Sequence, residues 1–328
     1  MKLLFCSVIL VFVIFNAKAQ ENDSPIESYR NNVVLHTSLS YRDAPFTIEG
    51  DFGQIDKLDF KSNLNLAHGI GIAYKWFALN INYKIPSYFR NTDKYGKTTY
   101  FDVGLQFSIK KWYFHLDFRD YNGYSIKDAS HISPDIQTTS TDFHINSDLR
   151  FLFFSLNAYF LLKNDINMKA ALGVVGRYTQ PAHGFYWKFF LNTYGISRRG
   201  GLFPYHFFDN ADPVFEASNM SAIEIGGAPG YTYINNINGW QFGTFAGLSG
   251  ALQIKSYQRH GESTGSIGFA PYIDFRLQGG YNIDRWFLML TSVFDYKFIN
   301  HKVLNYNQLY YNIQLTYGYR FKEKDKKK

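Results

Sequence analysis

The sequence predicts an all-β fold: an antiparallel transmembrane up-and-down β-barrel of about 12 to 14 strands. Three observations carry this expectation. First, the stretch LYYNIQLTYGYRF alternates strictly, with Leu309, Tyr311, Ile313, Leu315, Tyr317, Tyr319 and Phe321 on one face and Tyr310, Asn312, Gln314, Thr316, Gly318 and Arg320 on the other. Successive side chains of a strand point to opposite sides, and this run exceeds the roughly 5 to 6 residues of most soluble strands while meeting the roughly 9 to 11 that cross a bilayer. A half-buried strand of a secreted sandwich would alternate too, so the rest of the chain must separate the two. Second, Phe 32, Tyr 26 and Trp 5 make 19% of the chain, yet the mean hydropathy is −0.25. No later apolar segment reaches the ~18 residues of a membrane helix, so rings facing lipid, on strands whose other face is polar, reconcile the two figures. Third, short turns alternate with long polar connections, as in an outer-membrane barrel.

In chain order, MKLLFCSVILVFVIFNAKAQ carries Lys2, an apolar run from Leu3 to Phe15 and the small-residue pattern Ala17-Lys18-Ala19, which is expected to be a signal peptide over 1–19. A polar lead follows over 20–32, the barrel over 33–321 and a charged tail over 322–328. Within the barrel, VVLHTSLSY opens the alternation, and HGIGIAYKWFALNINYKI reads as two strands turning near Trp76. In FDVGLQFSIKKWYFHLDFRDY, Phe101 to Ile109 turn at Lys110-Lys111 into Trp112 to Phe118. Further segments lie near 149–162, 167–177, 185–196, 222–234, 240–255, 266–281 and 286–299. Together with the terminal strand these make about thirteen, whereas single-chain barrels have an even count with both termini on the periplasmic side. Placing turns at Trp76, Lys110, Asn164, Asn236 and Asp284 on that side confines the discrepancy to residues 163–221. Either a further strand hides in RRGGLFPYHFFDNADPVFEASNMS or two neighbouring segments are one.

The formal charge of +7 falls to +5 without Lys2 and Lys18, and the tail, with five Lys, one Glu and one Asp, holds +3 of that. The remaining +2 gives no basic face for nucleic acid. The one cysteine, Cys6, leaves with the signal, so disulfides and thiol catalysis are excluded.

The pieces HGIGIAYKWFALNINYKIP, FHLDFRDYNGYSI and GAPGYTYI, in that order, resemble an uncharacterised outer-membrane barrel family of Bacteroidota-type bacteria, a domain of unknown function. The resemblance runs from about Val33 to Phe321 and rests on glycines and aromatics in strands. It implies a barrel and a location, and supplies neither catalytic residues nor a substrate.

If the aromatic face meets lipid, the opposite face lines the lumen. The candidates are His115, Asp117, Arg119, Asp274, Arg276, Asp295 and Lys297, within a wider set that includes Lys75, Lys84, Asp102, Lys110, Lys169, Arg177 and Lys188. Such residues line a water-filled path or pair with one another to fill a narrow barrel. His115, Asp117 and Arg119 take successive inward positions and read best as an ion-pair ladder. A hydrolase would need Ser and His together on the lipid face with a polar orienter, and the outward positions are nearly free of both. Loop residues His206, Asp209, Asp212 and His260 are the protease alternative. The nine histidines show no His-x-His or His-x-x-x-His spacing, so neither a metal nor a cofactor is expected. Gly226-Gly227-Ala228-Pro229-Gly230 lacks the strand-to-helix setting of a phosphate loop and suits a strand on which rings pack.

The leading expectation is a passive channel or small-solute transporter in the outer membrane, in contact with its lipid and inserted by the barrel assembly machinery. A structural or assembly-partner barrel without conductance is the alternative, and an integral outer-membrane hydrolase is third. Replacing outward Leu315 by Arg should cost roughly 2 to 4 kcal/mol, and the same change at inward Gln314 little if water reaches it. The protein should also partition with the outer membrane and run faster on an unboiled gel than on a boiled one. Recovery of the mature chain as a soluble species without detergent would overturn the barrel.

Overall fold

The computed structural model describes residues 24–52, 55–85, 92–132, 136–203, 213–301 and 304–322. Its strands are β1 (Ile26–Ser28), β2 (Val33–Asp43), β3 (Phe46–Glu49), β4 (Lys57–Ser62), β5 (Asn65–Tyr74), β6 (Phe77–Lys84), β7 (Thr99–Ile109) and β8 (Trp112–Lys127). They continue as β9 (Phe143–Leu161), β10 (Gly176–Tyr178), β11 (Ala182–Ser197), β12 (Asn219–Ile237), β13 (Trp240–Arg259), β14 (Glu262–Asn282), β15 (Trp286–His301) and β16 (Leu304–Phe321). Fourteen form one antiparallel sheet, and twelve of these close into a ring: β2, β5 to β9, then β11 to β16. The ring shuts where β16 pairs with β2, from Tyr311↔Asp43 to Phe321↔Val33.

The alternation sorts the two faces. On β16 the outward Leu315 is 42% exposed, whereas the inward Thr316 and Arg320 are buried. Turns at Lys75–Trp76, Lys110–Lys111, Asn238–Gly239 and 283–285 gather at the end that carries Val33 and Phe321. The chain's five tryptophans, Trp76, Trp112, Trp187, Trp240 and Trp286, cluster near that same end on strands around the wall. That is the placement expected of an interfacial girdle.

Three features differ from the sequence reading. Residues 167–177 are not a spanning strand, and this resolves the odd count to twelve. They form a helical turn, Met168–Ala171, and run into β10, which pairs with β1. Ala170, Ala171, Val174 and Val175 are apolar because they pack with Phe287 and Met289 inside the barrel, not because they meet lipid. Among the described residues no strand lies between Ser197 and Asn219. YQRHGESTG, read as a loop, is a hairpin tip in which β13 and β14 stay paired to Arg259↔Glu262, with His260 and Gly261 at φ 47° and 86°. Many aromatic rings also point inward: Tyr113, Tyr121, Tyr124, Tyr159, Tyr186, Tyr194 and Tyr306 are all fully buried. The Gly226–Gly230 stretch serves these rings, since a Cβ at Gly226 or Gly230 would strike Phe190 or Tyr186.

The wall changes strand number partway up. β6 and β7 are short, and above them β4 pairs directly with β8, from Phe60↔Ile126 to Ser62↔Tyr124. Because β3 pairs with both β4 and β16, a ten-strand ring is stacked on the twelve-strand one. The exchange point on β8 is Gly123, at φ 99°, where the register to β9 slips between Asn122 and Tyr124. Below it β8 pairs with β7 up to Asn122↔Thr99. The Gly123 carbonyl accepts from Thr98 Oγ1 at 2.7 Å, and that hydroxyl accepts from the Asn63 amide at 2.8 Å. A Cβ at this position would lie 2.1 Å from the Lys97 carbonyl oxygen. Gly123→Ala should therefore cost about 2 to 4 kcal/mol, through the unfavourable φ and the clash. Urea unfolding followed by gel mobility reads this, and an unchanged midpoint would show that the exchange point tolerates a side chain.

Candidate functional site

Inward positions change character along strand after strand. On β8 they run Tyr113, then His115, Asp117 and Arg119, then Tyr121. On β15 they run Phe287 and Met289, then Thr291 and Val293, then Asp295 and Lys297, then Ile299. Stacked around the ring, these build a charged layer between two apolar ones. The layer at the terminus end joins Phe287, Met289, Tyr159 and Tyr186 to the 163–181 insert. The layer at the loop end joins Phe46, Phe60, Tyr124 and Tyr306 to Leu202, Phe203 and Phe215 from the 198–218 connection. Between them is a cavity of about 200 Å3.

All seven lumen candidates read from the sequence border this cavity, as do Asp102 and Lys188. Their charges are mostly paired. Arg119 forms an ion pair with Asp117 and lies 4.0 Å from Asp295, with its guanidinium between the rings of Phe153 and Tyr310. Lys297 lies 3.1 Å from Asp295 and 3.4 Å from Glu224. Asp274 accepts from Lys188 at 2.8 Å and Tyr186 at 3.0 Å. Arg42 pairs with Asp102. Arg42 and Glu224 were missed in the sequence, although parity marks both: Glu224 stands between outward Ile223 and Ile225, and Arg42 follows inward Ser38 and Ser40. Pairing of this kind is what allows charges to remain inside a barrel, since an unpaired buried ion is costly.

Other members of the wider set lie elsewhere. Lys75 and Lys110 occupy turn positions at φ 49° and 52°, and Lys84 donates to the Thr98 carbonyl at the strand exchange. Arg177 pairs with Glu27 at 2.7 Å and Asp284 at 3.1 Å, tying the insert to the N-terminal strand and to a turn. Further latches hold the insert. Arg320 donates to the carbonyls of Gly173 and Ile283, and Gln241 Nε2 donates to those of Ala170 and Ala171 at 2.9 and 2.7 Å.

His260 Nδ1 lies 3.7 Å from Glu216, while His206, Asp209 and Asp212 fall outside the described residues. On the outer wall, Thr37 Oγ1 lies 2.8 Å from His68 Nε2, and His68 Nδ1 lies 2.6 Å from the Tyr83 hydroxyl. The sequence reading overlooked this row, although His68 shares the parity of Ile70 and Ile72. The neighbouring strands are paired through this region, so their amides are committed to the ladder. The row satisfies its own polar atoms within an apolar surface. Among the described residues no group of three or more His, Cys, Asp or Glu gathers as metal ligands would.

Fold and interior together define a transmembrane-type β-barrel with a filled, charge-layered lumen. Residues 21–321 match the family described as a domain of unknown function (DUF4421), and the chain belongs to that family. No protein of curated function matches it by sequence. Similar solved structures include the outer membrane protease OmpT from Escherichia coli, at 10% identity and TM-score 0.40, covering 90% of this chain and 98% of that one. The translocator domain of the autotransporter NalP from Neisseria meningitidis is similar at 9% and 0.39, covering 98% and 95%. An outer membrane channel from Pseudomonas putida F1 is similar at 8% and 0.37, covering 93% and 100%. Likenesses at this level say nothing of chemistry, and the barrel stands on its own strand pairing.

Lys169, in the helical turn of the insert, is buried, and its Nζ reaches the Lys75 carbonyl at 3.5 Å. Burial first, then the charge of Arg30, lowers its pKa to about 8. From there up to the unfolded value near ~10.4 the unfolded chain holds a proton that the folded one has lost, so this residue makes stability rise with pH. Lys169→Met should therefore raise the unfolding midpoint at pH 7, by a margin that shrinks above about pH 8. Parallel midpoint-versus-pH curves for the two proteins would refute the assignment.

Proposed function

We propose that this barrel resides in the outer membrane of a Gram-negative, Bacteroidota-type cell and is an occluded small-solute transporter whose central charged chamber is the solute site. The observation that carries the reading is the vertical order of the lumen: an apolar layer, a cavity of about 200 Å3 walled by charge, and a second apolar layer. A barrel filled only for stability gains little from burying ion pairs in place of apolar side chains. A chamber for a polar solute needs them. In this reading the N-terminal signal exports the chain, the barrel assembly machinery inserts it, and the turns and termini face the periplasm.

In this reading a simple open pore is not the resting form. The 163–181 insert is then the periplasmic plug, held by Arg320 and Gln241 through carbonyls that can find other donors when it moves. The second reading, a structural or assembly-partner barrel, is favoured by the mutual pairing of most chamber charges. Conductance in a planar bilayer separates the two. Wild type should be silent or open rarely, and a variant with residues 165–179 replaced by Asn-Gly should show stepwise openings. Persistent silence in that variant, with the fast-running unboiled band retained, would refute transport and leave the structural reading.

A further inference from the structure

Within the chamber one cation stands apart. Arg42, Arg119, Lys188 and Lys297 each have a carboxylate partner, and the carboxylates of Asp102, Asp117, Glu224, Asp274 and Asp295 are all engaged by them. Arg276, on β14 between Asp274 and Gln278, borders the same cavity. Its Cζ lies 5.6 Å from the centroid of the Tyr159 ring and it is attracted by Asp274, two positions along the same face, but among the described residues it has neither an ion pair within 4 Å nor a hydrogen bond. The groups around it lack partners of their own. Gln278, only 8% exposed and also on the cavity, has an unpartnered Nε2. His115 Nδ1 and the Tyr113 hydroxyl are likewise unpartnered, and both residues feel the charge of Arg276.

A half-buried guanidinium fork and a buried amide N–H that border the same cavity and lack acceptors form a donor set that suits an acceptor. We propose that this corner of the chamber binds a small monocarboxylate, its two oxygens on the Arg276 fork and one also on Gln278 Nε2. Planar bidentate recognition fits a carboxylate. A phosphate dianion fits less well, because the other four cations of the chamber are already matched by carboxylates and one guanidinium is left for two negative charges. The inference rests on the chamber being a solute site and names the class of solute, but its test requires no transport.

The full-length mature barrel is refolded from urea into detergent with sodium propionate, with propionamide in sodium chloride of matching ionic strength, or with inorganic phosphate. Its urea-unfolding midpoint is then read by gel mobility. A ligand that binds only the folded state raises that midpoint. Propionate should raise it in wild type and not in Arg276→Gln, while propionamide and phosphate should move both proteins equally. If Arg276→Gln does not fold, Gln278→Leu keeps the guanidinium and should weaken propionate about tenfold. A propionate shift retained in Arg276→Gln, no shift in wild type, or a larger Arg276-dependent shift with phosphate would overturn the assignment. Propionate binding in a barrel that never conducts would sink transport and leave the site, and conduction without propionate binding would do the reverse.

Discussion

A strand that faces lipid must satisfy every backbone amide and carbonyl within the protein, and the rest of this structure depends on that constraint. It forces the sheet to close, which β16 and β2 accomplish over eleven residue pairs. It also governs the place where closure is hardest to keep. β6 and β7 end early, and an open edge on β8 above them would leave unpaired groups in the wall. β4 takes up that edge, and the change of partner needs one residue with a left-handed backbone and no side chain, which is Gly123. Thr98 and Asn63 then bond the groups exposed by the slip in register.

Closing twelve strands leaves a lumen narrow enough for side chains to span, and its filling is uneven for a reason. At the two ends, rings and aliphatic groups pack as in a soluble core. In the middle, charge is held by pairing and by aromatic faces, as where Arg119 sits 3.7 Å from the Tyr310 ring centroid. Replacing such pairs with apolar groups is often neutral or stabilising, so the middle layer is not explained by stability alone. The corner at Arg276 is where internal pairing stops.

How far the sequence discloses this follows from which phases its residues meet. Alternation was legible wherever one face meets lipid, so the inward and outward sets of β16 could be read directly from LYYNIQLTYGYRF. It misled at 167–177, where apolar residues are equally periodic because they plug the lumen. It also failed at HGESTG, where the strands rise beyond the apolar band and neither face needs grease. The lumen charges could be found by parity, residue by residue. Their layering could not be read from any single strand, because it appears only when strand ends are aligned around the ring. Pairing within the layer depends on neighbours far apart in sequence, as with Lys188 and Asp274, or Lys297 and Glu224.

The two apolar layers differ from the wall in how they are attached, and this bears on how a closed barrel could open. Much of each layer belongs to connections rather than to the ring: Met168, Val174 and Val175 at one end, and Phe52, Leu202, Phe203 and Phe215 at the other. Moving a ring strand would break a ladder of backbone bonds in a phase that offers no replacement. Moving a connection breaks only its own few bonds. At the terminus end these are the Arg320 and Gln241 contacts to carbonyls, and at the loop end they include Leu202 N to the Ala217 carbonyl at 2.8 Å. None of these belongs to the ladder of the ring. The energetic separation between a fixed wall and displaceable fillers is therefore built into the chain's order, because each of these connections follows one ring strand and precedes the next without belonging to either.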